Sequence, residues 1–163
     1  MILVLAGCVH KLTMHSRSGD TLAGRYRFAR ENTGLIEIPF GKDEVLSGRF
    51  ITVSRGDFVD AYTRAFGTGS IAVDGPDVSS YGSPFTGMLA SSHTLPGSAY
   101  GETFRSAAAP SSTSVTGPLF YWTASLQSDR GTSVTCFFIG SAYTGHGFGR
   151  CKTPHGEEYT ADF

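Results

Sequence analysis

Apolar and polar positions alternate along most of this chain. Leu22, Tyr26 and Phe28 share one face of residues 22–28, with Arg25 and Arg27 on the other. Ile36, Ile38 and Phe40 share one face of residues 35–40, and Glu37 lies opposite. Residues 46–53 follow the polar turn Gly41-Lys42-Asp43-Glu44 and carry Phe50, Ile51 and Val53. A period of two, filled with β-branched and aromatic residues, predicts half-buried antiparallel strands. The pattern returns over residues 119–126, 133–139, 147–152 and 157–163. One segment changes period. Phe58, Val59, Tyr62, Ala65 and Phe66 follow helical spacing, which predicts a short helix over 58–66 with Asp57 as its cap.

The two strand-rich parts echo each other. At one constant offset, Leu22, Gly24, Tyr26 and Phe28 correspond to Phe120, Trp122, Ala124 and Leu126. Ile36, Ile38 and Phe40 then correspond to Val134, Cys136 and Phe138. With a slightly longer turn, Gly48-Arg49-Phe50 meets Gly149-Arg150-Cys151. Duplication and chance similarity between meanders both produce such an echo, because alternation is common in strands. Either way, two meanders must cover each other's apolar faces. The predicted class is all-β, mainly antiparallel, a small β-sandwich or barrel with one short helix.

Between the two parts the character changes. Residues 67–118 hold five of the seven prolines and are rich in Gly, Ser, Thr and Ala. Strand character is weak there: residues 71–73 suit a strand, and 87–90 and 99–101 suit short pieces. Residues 107–114 read as linker.

Length and charge narrow the function classes. A chain of 163 residues suits one domain with a real core. Thirteen basic residues against fourteen acidic ones give a net charge of −1, so nothing electrostatic points to nucleic acid. The charged fraction of 17% is low, and 21 glycines are many; this balance is common in exported β-proteins.

The start of the chain adds an address. Ile2 to Ala6 is an apolar run, and Leu5-Ala6-Gly7-Cys8 closes it with small residues before a cysteine. This tetrapeptide resembles the lipobox of bacterial lipoproteins. The alternative is a first buried strand at Met1 to Leu5 with Cys8 as an ordinary core residue. The resemblance implies that residues 1–7 are the remnant of a signal peptide and that Cys8 carries palmitate and related acyl chains. Residues 8–21, containing His10, Lys11, His15 and Arg17, then read as a polar lipidated tether, with a single β-domain over 22–163. Val9 after the cysteine, where Asp would retain the protein in the inner membrane, implies the outer membrane and a periplasmic orientation. The closing pattern, Asp129-Arg130-Gly131, Cys136, Gly147-Phe148-Gly149-Arg150-Cys151, Gly156 and Tyr159, looks similar to the ends of small bacterial lipoproteins and exported proteins of unassigned function.

If Cys8 carries lipid, Cys136 and Cys151 remain as an even pair. A hairpin centred on the Gly-rich turn at 140–147 sets them opposite each other, which suits a disulfide in an oxidising compartment; two buried thiols are the alternative.

Candidate chemistry is sparse. His10 and His15 fall in the expected tether, His93 in the irregular segment, and His146 and His155 at turns on either side of one strand. No CxxC pair or His/Cys cluster has zinc-ligand spacing. Gly145-His146-Gly147-Phe148-Gly149 lacks the Lys-Ser/Thr of a phosphate loop and is not followed by a helix. Its glycines fit positive φ or close backbone approach at a strand entry. The reading that results is a non-enzymatic binding or scaffolding module with no cofactor and no metal, held on the membrane and contacting an envelope protein or glycan. The alternative is an envelope hydrolase using residues of 67–118, with His93 beside a Ser or Asp.

Overall fold

The computed structural model describes residues 8–67, 71–74, 103–106, 114–116 and 118–163. These described residues form eleven strands and one helix: β1 (Val9–Ser16), β2 (Thr21–Arg30), β3 (Thr33–Pro39), β4 (Val45–Thr52), α1 (Arg55–Phe66), β5 (Ile71–Asp74), β6 (Thr103–Ser106), β7 (Ser114–Thr116), β8 (Leu119–Gln127), β9 (Ser133–Ser141), β10 (Gly147–Lys152) and β11 (Glu158–Asp162). Eight of the strands close into a barrel in the order β1-β11-β10-β9-β8-β4-β3-β2, every neighbour antiparallel. The all-β expectation holds, and the architecture is the barrel. Two four-stranded meanders, β1 to β4 and β8 to β11, meet at two seams, β4 on β8 and β11 on β1. Apart from Arg49 and Arg150, which point outward, the echoed positions line the barrel interior, although the hairpins differ in register: Tyr26 faces Ile36, whereas Ala124 faces Cys136.

Alternation explains the interior. Leu12 and Met14 of β1, Ile36 and Ile38 of β3, Leu46 and Phe50 of β4, and Trp122 and Leu126 of β8 all join one buried cluster. An eight-stranded barrel is just wide enough for side chains to fill. Here aromatic rings do much of the filling, and glycine makes room for them. Phe120 lies directly opposite Gly140, and Phe138 directly opposite Gly149. A Cβ on Gly140 would come within 2.2 Å of the Phe120 ring, so only glycine seats that ring.

A second cluster lies outside the barrel wall. Phe58 and Tyr62 of α1 pack on Tyr121, Phe137 and Ile139, which point outward from β8 and β9. This is why β9 reads as a nearly continuous apolar run: it is buried on both faces. The helix begins earlier than expected. Ser54, not Asp57, is its cap; the Ser54 hydroxyl accepts from the Asp57 amide at 3.1 Å and donates to the Asp57 carboxylate at 2.8 Å. Asp57 sits in the first turn, where its charge suits the helix N-terminus.

The expected tether over 8–21 is overturned. Residues 9–16 are β1, hydrogen-bonded on both sides and closing the barrel, so the domain starts before residue 22. The polar residues of β1 mask the strand: Lys11 and His15 point outward while Leu12 and Met14 fill the core. Within 67–118, β5, β6 and β7 form a separate antiparallel sheet; β6 and β7 were not foreseen, and Ser114 begins β7 instead of ending a linker. The pieces expected at 87–90 and 99–101 lie outside the described residues, as do residues 1–7.

Candidate functional site

One rim of the barrel carries the start of β1, the β2–β3 turn, the start of β8, the β9–β10 turn and the end of β11. Cys8 lies on this rim, exposed and free, immediately before β1. Just inside it is an aromatic cluster. His10 stacks on Tyr26 with ring centroids 4.9 Å apart, and Tyr26 meets Phe28, Phe50, Trp122 and Phe163 at 5.7–6.2 Å. Burial pushes the Tyr26 hydroxyl up to about 12, so it stays protonated under ordinary conditions. Thr52 and Trp122 face each other across the β4–β8 seam. Thr52 Oγ1 and Trp122 Nε1 are buried and have no hydrogen-bond partner among the described residues.

On the outside, β1 to β4 present a basic wall. Register sets Val9, Arg27, Leu35 and Arg49 side by side across the four strands, with Lys11, Arg25 and Glu37 as the next row. Arg25 grips Glu37 through two of its nitrogens at 2.7 Å. Lys11, Arg27 and Arg49 are exposed and make no ion pair among the described residues. A recess of about 230 Å³ opens in this wall, lined by Val9, Arg25, Tyr26, Arg27, Leu35 and Glu37. A membrane-spanning barrel has an apolar band outside and a polar lumen. Here the charges of this wall face outward and the lumen is apolar.

A third polar group fastens α1. Arg150 points outward from β10 and is 7% exposed. It donates to Glu158 Oε2 at 2.8 Å and to the Tyr62 hydroxyl at 3.3 Å, and its guanidinium lies 4.1 Å from the Phe66 ring centre. Lys152 donates to the Ala65 carbonyl at 2.9 Å. Burial opposes ionisation of Glu158, but the hydrogen bond and charge of Arg150, with the charges of Arg17 and Lys152, outweigh it and hold the carboxyl below its usual range. A depressed carboxylate contributes stability above its unfolded pKa and loses it as pH falls through the folded value. Glu158→Gln is therefore expected to lower stability by about 1–2 kcal/mol at neutral pH. In urea titrations the difference from the parent should shrink as pH falls through the depressed folded value, and close once the parent carboxyl is also neutral. A constant difference at every pH would remove the ion pair as its cause.

The other expected residues fall as follows. Cys136 and Cys151 face each other across β9 and β10 and are joined by a disulfide, with Cα atoms 4.0 Å apart. Both lie in the barrel core at 0% exposure. His10 and His15 are not solvated tether residues: His10 is half-buried in the rim cluster, and His15 lies 3.4 Å from Asp162. His146 and His155 are exposed, in the turns before and after β10. Gly145 has φ +68°, and a Cβ on Gly147 would meet the Ile139 carbonyl, so that glycine-rich run shapes a turn and a close approach. His93 lies outside the described residues. Among the described residues, no three His, Cys, Asp or Glu side chains group as metal ligands. In the sequence Arg25 and Arg27 form only the outer face of one strand; their neighbours Lys11 and Arg49 join them through register alone.

The fold and its surfaces define an all-antiparallel, eight-stranded barrel with a filled core, a disulfide inside it and a basic outer wall beside an exposed cysteine. Comparison with protein-family models, with curated proteins and with solved structures finds no match.

Proposed function

We propose that this protein is a lipid-anchored, non-enzymatic binding module of the bacterial cell envelope, held on the outer membrane through acylated Cys8 and facing the periplasm. The observation that carries the reading is Cys8 itself. It is exposed and free at the barrel rim, while Cys136 and Cys151 are consumed by the internal disulfide. Disulfides of this kind persist in oxidising compartments, which supports export. With β1 beginning at Val9, an anchor at Cys8 leaves no slack, and the barrel rests directly on the membrane surface. Three acyl chains, as the lipobox resemblance implies, exceed the two-signal threshold for stable anchoring.

The described histidines support a binding role over catalysis. His10 is packed against Tyr26, His15 lies beside Asp162, and β10 separates His146 from His155. The module's partner is an envelope protein or glycan. Radioactive palmitate fed to cells making the full chain is expected to label the parent and leave Cys8→Ser unlabelled. Equal label in both, or in neither, overturns the anchor.

A further inference from the structure

The basic wall carries a cost that the fold itself does not repay. Lys11 stands directly opposite Arg25 in the β1–β2 pairing. Like charges opposed across strands are destabilising. Glu37 offsets Arg25 alone, and Arg27 and Arg49 flank Leu35 with no carboxylate of their own among the described residues. Four cations against one acid on one patch contrast with a whole chain of net charge −1. Apolar side chains lie among the cations: Val9 is 62% exposed, and Leu35 sits between Arg27 and Arg49. The recess between these groups is built from Val9, which directly follows Cys8.

That adjacency identifies the occupant. An acyl chain on Cys8 enters the membrane one residue, about 3.8 Å of backbone, from the recess. The wall then faces the headgroup layer, where phosphates stand above apolar chains. Arginine forks match phosphate oxygens, and exposed Val9 with half-buried Leu35 matches the acyl boundary. We infer that the β1–β4 wall docks on the anionic headgroups of a phospholipid leaflet, with the recess at Arg25 and Arg27 taking a headgroup phosphate. This inference rests on the anchor at Cys8. An acidic protein partner would meet the same charges without using the apolar residues beside the anchor.

Vesicle co-sedimentation of the unacylated full-length Cys8→Ser chain tests the surface separately from the anchor. Vesicles of phosphatidylcholine with phosphatidylglycerol should bind it, and phosphatidylcholine alone should not. Binding should fall steeply with added salt. Each cation near an anionic surface contributes about fivefold to binding, so Arg27→Gln with Arg49→Gln should weaken it roughly 25-fold. Lys42→Gln, in the turn on the opposite rim, should leave it unchanged, and thermal melts should show all three chains folded. Equal binding to both vesicle types overturns the inference. So does binding unmoved by the arginine pair, or binding to polyglutamate that exceeds binding to the vesicles. Binding of inorganic phosphate without binding of vesicles overturns it as well, leaving a small-anion site. Palmitate labelling reads the anchor independently, so its failure is distinguishable from failure of the wall.

Discussion

Gly48→Ala is expected to destabilise the barrel by about 3 kcal/mol or more, at the upper end of what overpacking does. A Cβ on Gly48 would lie 2.0 Å from the Ser125 carbonyl oxygen and 2.9 Å from the Leu126 Cα. Both obstacles are backbone, so no rotamer change relieves them. The strands themselves must part, and they are β4 and β8, one of the two seams that hold the meanders together. Parting them also disturbs Phe50 and Trp122, whose rings lie 4.7 Å apart beside the same seam. The chain has a single tryptophan, and it is 3% exposed, so its fluorescence reports this seam directly. Urea titration should show an early, red-shifted transition in the variant. Gly56→Ala provides the contrast. That glycine lies in the first turn of α1, where a Cβ meets only the Ser54 hydroxyl at 3.9 Å. It should stabilise by roughly 0.5–1 kcal/mol, because alanine loses less chain entropy on forming helix. An unchanged midpoint for Gly48→Ala would mean that the seam has room for a side chain at this position.

The contrast also shows which parts of the molecule a sequence displays. Strands β2, β3, β4 and β8 to β11 are visible because their inward residues recur at every second position. The helix is visible because Phe58 and Tyr62 keep helical spacing toward the outer face of β8. Its cap is less so: Ser54 and Asp57 bond to each other, and either one alone reads as a cap. Strand β1 hides because only Leu12 and Met14 mark its inner face, among His10, Lys11 and His15. The basic wall is not legible at all from local pattern. Lys11, Arg25, Arg27 and Arg49 lie on three strands, and each looks like the ordinary solvated face of its own. Register makes them one surface, and register is a property of the closed barrel. The reason for Gly48 hides in the same way, since its obstacle belongs to β8.

Replacing Cys136 and Cys151 together by alanine is expected to cost about 3 kcal/mol or somewhat more. The bridge closes a loop with a sequence separation of 15, and cross-linking a loop of that size restricts the unfolded chain by about 3 kcal/mol. Truncating two side chains at 0% exposure adds lost contact within the barrel. The bridge joins two strands that are already hydrogen-bonded neighbours, so its effect falls on the unfolded ensemble and little on the native geometry. That separates two measurements. The urea midpoint should drop sharply in the double variant, while its native tryptophan emission stays close to the parent's. Burial also makes the bridge slow to reduce: dithiothreitol should reach it only through unfolding, so native parent protein should resist until urea is added. Under those native conditions the unacylated chain should take up one alkyl group, at Cys8, and reduction after unfolding should expose the other two thiols. Three alkyl groups on the chain unfolded without reductant would show that the bridge is absent. A double variant with an unchanged midpoint would show that it is present without stabilising the barrel.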